Sequence, residues 1–198
     1  METFFIITML LTSVIGLTFI IERGIALRWN RVLPHGIASA AEACRTAADR
    51  PALRSACAQS RSPLARLLLV AEGYLDLSKE ENESALQTRA RQEIVHLERG
   101  LVVLEIVVGI APLLGLVGTI YGMMTLFGGL GESGLGDNAV LARGISLILR
   151  FTMAGLLIAI PSLIAWNYYS KKVEILAVEM ETICADFLRR QYQPKAAK

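Results

Sequence analysis

Long uncharged runs alternate with amphipathic ones along this chain. Phe4 to Ile21, Ile106 to Gly131 and Phe151 to Ser170 carry no charge, and Ala139 to Leu149 extends the third run upstream with Arg143 as its one charged residue. A helix rising 1.5 Å per residue needs about 20 residues to cross a hydrocarbon core of about 30 Å, so each run predicts one spanning helix. The segment between the first two spans reads as helices broken by punctuation. Ile37 to Asp49 is Ala-rich and is expected to stop before Pro51; "SPLARLLLVAEGYLDL" has helical apolar spacing from Leu64 to Leu77; "SKEENESALQTRARQEIVHLERG" opens with a Ser cap and first-turn acids. From Ser84 to Arg99 neither Pro nor Gly intervenes, which predicts one long helix running into the second span. "KKVEILAVEMETICADFLRRQY" continues the third span, with Val173, Leu176, Met180, Ile183 and Phe187 on one stripe. Strand-like alternation is absent.

The expected fold is therefore an all-α polytopic membrane protein with three transmembrane helices, the second and third extended into the cytoplasm. Its divisions are 1–22, first span; 23–100, cytoplasmic helical region; 101–131, second span; 132–143, periplasmic loop; 144–170, third span; and 171–198, cytoplasmic C-terminal helix. A retained anchor is expected for the first span, because no positive region precedes Phe4 and no A-x-A-like site follows it. Arg143 and Arg150 lie between spans two and three, leaving 18 of the 20 basic residues on the other side. The positive-inside rule then puts the N-terminus in the periplasm and the C-terminus in the cytoplasm.

Composition agrees with a membrane location: 54% of residues are hydrophobic and mean hydropathy is +0.49. The 20 Lys and Arg nearly balance 18 Asp and Glu, and no basic cluster interleaved with aromatics points to nucleic acid. Cys44, Cys57 and Cys184 are odd in number, form no C-x-x-C pair and fall in cytoplasmic segments, so neither a disulfide framework nor a zinc site is expected. His35 and His96 lack a second ligand at metal spacing, and no Walker loop, G-x-S-x-G or dinucleotide turn occurs. Neither an enzyme, a metal nor a cofactor is predicted.

The informative chemistry lies in "APLLGLVGTIYGMM". At about 100° per residue Pro112, Gly115, Thr119 and Gly122 share a helix face, with Gly118 beside them. Small residues let another helix approach closely, which matters in lipid because association there depends on packing and interhelical hydrogen bonds. The Thr119 hydroxyl has the carbonyl of residue 115 in its own helix as an ordinary acceptor. In the third span Thr152, Gly155 and Ala159 share a face, Pro161 loosens the ladder, and Trp166, Tyr168 and Tyr169 mark an interface. Counting from the cytoplasmic edge puts both hydroxyls at similar depth, roughly 21 to 24 Å in.

"LERGL", "APLLGLVGTIYGMM" and "GISLILRFTMAGLLIAIPSLIAWNYY" resemble the second and third membrane helices of the MotA/TolQ/ExbB proton-channel family, most closely its ExbB branch; the resemblance covers Leu97 to Phe127 and Gly144 to Tyr169. It implies a homopentameric ring in the bacterial inner membrane around the single spans of an ExbD-like dimer. It also implies that proton-motive force drives motion passed to a TonB-like periplasmic partner for outer-membrane transport. On the matching positions, Thr119 and Thr152 are the pore threonines, Pro112, Gly115 and Gly118 form the tight segment before the first, and Pro161 and Asn167 close the second. Thr cannot change charge, so the resemblance assigns the proton-carrying carboxylate to an Asp of the ExbD-like partner.

Two positions depart from the family pattern. Leu147 stands where Glu or Gln is common, and Arg150 where an apolar residue is usual. Arg150 lies about 200° from Thr152 and is expected to snorkel to the periplasm or pair with Glu132 or Asp137, the alternative being a partner-helix contact. Three readings stay open: an ExbB-type transducer; a TolQ-like or other transducer for envelope constriction, gliding or secretion; and a non-conducting scaffold whose small-residue stripes only pack helices.

Overall fold

The computed structural model describes the backbone of residues 2–133 and 138–192 and the side chains of residues 3–129 and 141–192. The described residues form helices α1 (Glu2–Ala26), α2 (Trp29–Val32), α3 (His35–Ala43), α4 (Arg50–Gln59), α5 (Pro63–Gly73), α6 (Lys79–Glu98), α7 (Leu101–Ser133) and α8 (Asn138–Tyr192), with a 3-10 turn at Ala47–Asp49. No strand occurs among them. Among the described residues three helices are long and apolar enough to cross a membrane, over Thr3–Ala26, Leu101–Gly129 and Leu141–Tyr192. The chain divides into two compact units, one of 1–23 with 100–168 and one of 24–99 with 169–198.

In the first unit α1, α7 and α8 pack through small residues. A Cβ on Gly16 would lie 3.2 Å from Ser162 Oγ and 3.3 Å from Val107 Cγ1, while the Phe5 ring sits 5.5 Å from Tyr121 and 6.1 Å from Phe151 between centroids. Residue numbers therefore rise together in α1 and α8 and oppositely in α7, as three successive crossings require. Phe4, Leu10, Leu113, Met124, Phe127, Leu157 and Ile164 leave wide apolar faces exposed. Thr8, Thr12 and Thr18 each donate to the carbonyl four residues back, so these hydroxyls carry no unpaired donor into an apolar surrounding.

The second unit has a core of larger side chains. Leu27, Leu53, Leu64, Leu67, Leu68, Leu176, Met180, Phe187 and Leu188 are buried. Ser62 caps α5 by accepting from Ala65 N at 3.3 Å, with Pro63 in the first turn. Ser78 and Glu81 form the expected reciprocal cap on α6. Four local expectations change. Pro51 opens α4 rather than ending a helix, because its missing N–H costs nothing in a first turn, and the helix before it stops at Ala43. The helix predicted to Leu77 ends at Gly73, and 74–77 is a turn. The predicted run from Ser84 into the second span is interrupted by a turn at Arg99–Gly100, where the Arg23 side chain occupies the place of a Gly100 Cβ. On the α8 stripe Cys184 is the buried residue and Ile183 only half-buried, since a spacing of 173, 176, 180, 184 and 187 holds one face. Between α7 and α8 the expected connection 132–143 is helical at both ends, and 134–137 lie outside the described residues.

Candidate functional site

The glycines of α7 and α8 meet each other. A Cβ on Gly155 would lie 2.7 Å from Ala111 O and 3.2 Å from Gly115 Cα; one on Gly115 would lie 3.1 Å from Phe151 O and 3.5 Å from the Cα atoms of Thr152 and Gly155. A Cβ on Gly118 would overlap the Phe151 side chain at 2.6 Å, and one on Gly122 would meet Ile148 Cγ1 at 2.8 Å. Backbone thus faces backbone near the middle of the seam, and Leu126 against Gly144 continues it. Ala159 is buried on the same face of α8.

These contacts give the antiparallel register: 122 opposite 148, 118 opposite 151 and 115 opposite 151–155. Thr119 and Thr152 therefore sit within roughly 3–6 Å of one another along the helix axes. At about 100° per residue, Thr119 lies some 70° to one side of the buried face of α7 and Thr152 some 60° to one side of that of α8. Because the helices are antiparallel, both offsets fall on the same side of the seam. The Phe5 contacts with Tyr121 and Phe151 place α1 on the opposite side. The two hydroxyls thus share one uncovered flank, with Pro112, Leu116 and Met123 of α7 and Leu156 and Leu163 of α8. Thr119 is half-buried and Thr152 exposed.

Neither hydroxyl is idle as a donor. Thr119 Oγ1 donates to Leu116 O at 2.6 Å, three residues back rather than to residue 115, and Thr152 Oγ1 donates to Ile148 O at 3.3 Å. Each oxygen keeps lone pairs that can accept from an incoming group. Asn167 Nδ2 donates to Leu163 O at 3.0 Å.

Residues 58–182 match the MotA/TolQ/ExbB proton channel family. The chain belongs to that family. It is 40% identical over 81 residues to the biopolymer transport protein ExbB of Helicobacter pylori strain J99, a match covering 41% of this chain and 56% of that protein. It is 32% identical to the ExbB protein of Aquifex aeolicus over 57% of this chain and 74% of that one. A Pseudomonas aeruginosa Tol-Pal system protein TolQ is 35% identical over 52% of this chain and 45% of its own length. Against the Helicobacter protein the match thus spans little more than half of the relative.

Of the residues expected at a channel site in this family, Gly115, Gly118, Gly122, Gly155 and Ala159 come together in the seam, and Pro112, Thr119 and Thr152 border its open flank. Pro161 and Leu147 fall on the α1 side of α8; Pro161 is exposed and Leu147 half-buried. Arg150 is exposed and about 200° from Thr152, turned from the flank; its expected partners Glu132 and Asp137 have side chains outside the described residues. Among the described residues no three His, Cys, Asp or Glu side chains cluster as metal ligands.

One polar cluster is only half legible in the sequence. Glu93 of α6 is 1% exposed and is held by Arg66 through Nε–Oε1 at 2.9 Å and Nη2–Oε2 at 2.5 Å, with Arg89 Nη2 at 2.9 Å. The i, i+4 spacing of Arg89 and Glu93 was visible. The pairing with Arg66, twenty-seven residues earlier, depends on how α5 meets α6.

Proposed function

We propose that this chain is the channel subunit of an ExbB/ExbD-type complex, which converts proton-motive force into mechanical work for TonB-dependent outer-membrane transport. It assembles as a homopentamer in a bacterial inner membrane, with its N-terminus in the periplasm and its C-terminus in the cytoplasm. The supporting observation is the flank on which Thr119 and Thr152 stand at one level, opposite α1. Five such flanks turned inward line a pore, and the seam glycines keep each α7–α8 pair thin enough to close the ring. Neither hydroxyl titrates, so an ExbD-like single-span partner brings the proton-carrying Asp between them, and their lone pairs accept from its carboxyl while it holds the proton. A TonB-like protein takes up the resulting motion in the periplasm.

The test is proton flux into proteoliposomes holding this chain with and without its single-span partner. Flux should require the partner and fall to background in Thr119→Val and Thr152→Val, while the oligomer survives. Survival is expected because a hydrogen bond within a membrane bundle contributes only about 0.6 kcal/mol on average. Wild-type flux in both variants returns the threonines to packing, and a stable oligomer without flux in any combination leaves the scaffold reading. The similarity to TolQ supports a second reading with the same channel and a different load. Deleting the gene separates the two: lost substrate uptake indicates ExbB-type work, and defective envelope constriction indicates TolQ-type work.

A further inference from the structure

Among the described side chains of residues 101–129 and 141–168, Glu105 is the only carboxylate. At about 100° per residue it lies within about 40° of Thr119 around α7, some 21 Å along the axis, with Pro112 midway on the same flank. It is exposed. The contacts of Gly16 with Val107 and Ser162 put these two residues level, so Glu105 stands opposite residue 164. Asn167 is then about 5 Å further along α8 and on the same flank as Thr152. The charged pair of α1, Glu22 with Arg23, is elsewhere: Arg23 packs on Gly100, in the turn that precedes α7. A carboxylate and an amide therefore end the flank on which the two hydroxyls begin.

We propose that Glu105 is the proton-transfer group at the cytoplasmic end of the path that Thr119 and Thr152 line, an assignment that rests on the channel reading above. A hydronium reaching the end of the flank gives its proton to the Glu105 carboxylate, leaving water and a neutral carboxylic acid. The acid releases that proton to bulk water, and the carboxylate returns for the next cycle. Asn167 beside it offers an amide to the water that carries the proton.

The experiment uses the complex with the single-span partner in proteoliposomes, at low and at high concentration of a membrane-impermeant buffer. Glu105→Gln should lower proton flux by about a hundredfold in dilute buffer, the low end of what a positioned acid–base group contributes. High buffer should restore it, because a mobile acid–base pair replaces the missing group, and Glu105→Asp should conduct in both. Thr119→Val should stay silent in both, since its lesion lies in the interior of the span. Flux in Glu105→Gln equal to wild type overturns the relay, as does a loss that buffer does not restore. A wild-type complex that conducts nothing overturns the channel reading and this one together.

Discussion

The two units of this chain hold together in opposite ways. Around Glu93 and Phe187 the contacts come from large side chains, a buried carboxylate and capped helix ends; around Gly115 and Gly155 they come from missing side chains. The solvent explains the contrast. Water drives Leu and Phe inward at roughly 25 cal/mol per Å² of apolar surface, but a lipid tail is as apolar as Leu, so the spans gain from close packing rather than from burial. Two glycine-bearing helices can bring backbone to backbone, and the dispersion contacts along the seam replace the burial that lipid does not reward.

That difference predicts which direction of size change does damage. Phe187→Ala should be the most costly substitution, lowering stability by about 3–5 kcal/mol, because a fully buried ring leaves a cavity behind. Leu113→Ala in α7 truncates a side chain that is 59% exposed, and it should leave the thermal midpoint in detergent almost unchanged. In the spans enlargement is the damaging change. Gly155→Leu should cost about 1–3 kcal/mol, toward the upper end because the obstacle is the Ala111 carbonyl, a backbone atom that cannot rotate away. Gly109→Ala, which meets nothing within 4 Å, is its control. Thermal unfolding followed by gel filtration in detergent reads all four, and a harmless Gly155→Leu would break the comparison.

Legibility followed the same division. Runs of uncharged residues announced three spans because hydropathy survives without any knowledge of packing, and Ser78 with Glu81 announced the start of α6 because a cap is local. The small-residue stripe was readable for the same reason: Gly115, Gly118 and Gly122 repeat at helical spacing. What the sequence could not convey was phase between helices. Thr119 and Thr152 each share a stripe with glycines when read alone, yet the contacts put the glycines in the seam and the hydroxyls beside it. Register across α7 and α8 decides that, and register depends on Phe151 fitting over Gly118. Pro51 misled because proline ends one helix and opens the next with equal ease, and only the backbone shows which.

The ion cluster sharpens the comparison at intermediate size. Arg66→Met should destabilise the protein by about 1–2 kcal/mol, less than the 3–5 kcal/mol typical of an orphaned buried charge. Glu93 keeps Arg89, and both arginines are 38% exposed, so water screens what is lost. Urea unfolding followed by circular dichroism measures it. A loss as large as that of Phe187→Ala would mean that charge pairing, rather than burial, organises the second unit.

The smallest effect is a pH dependence confined to the same unit. Burial pushes the Cys57 thiol up to about 11, with the Glu72 carboxylate adding to the rise. An unfolded chain ionises its cysteines near pH 8.5. The native state therefore holds more protons than the unfolded state between those values, and stability falls as pH rises through that window. Below it both states are neutral at this position, so the contribution is complete and constant. Cys57→Ala should reduce the alkaline slope of the denaturant midpoint, leaving the part that the buried Cys44 and Cys184 thiols contribute in the same sense, without moving the midpoint at pH 7 by more than a small packing loss. The same burial makes native Cys57 slow to react with iodoacetamide at pH 8, because the thiolate is scarce and enclosed. Fast labelling of the folded chain would mean that the helices around Cys57 open in the native state, and that the second unit is looser than its packed core implies.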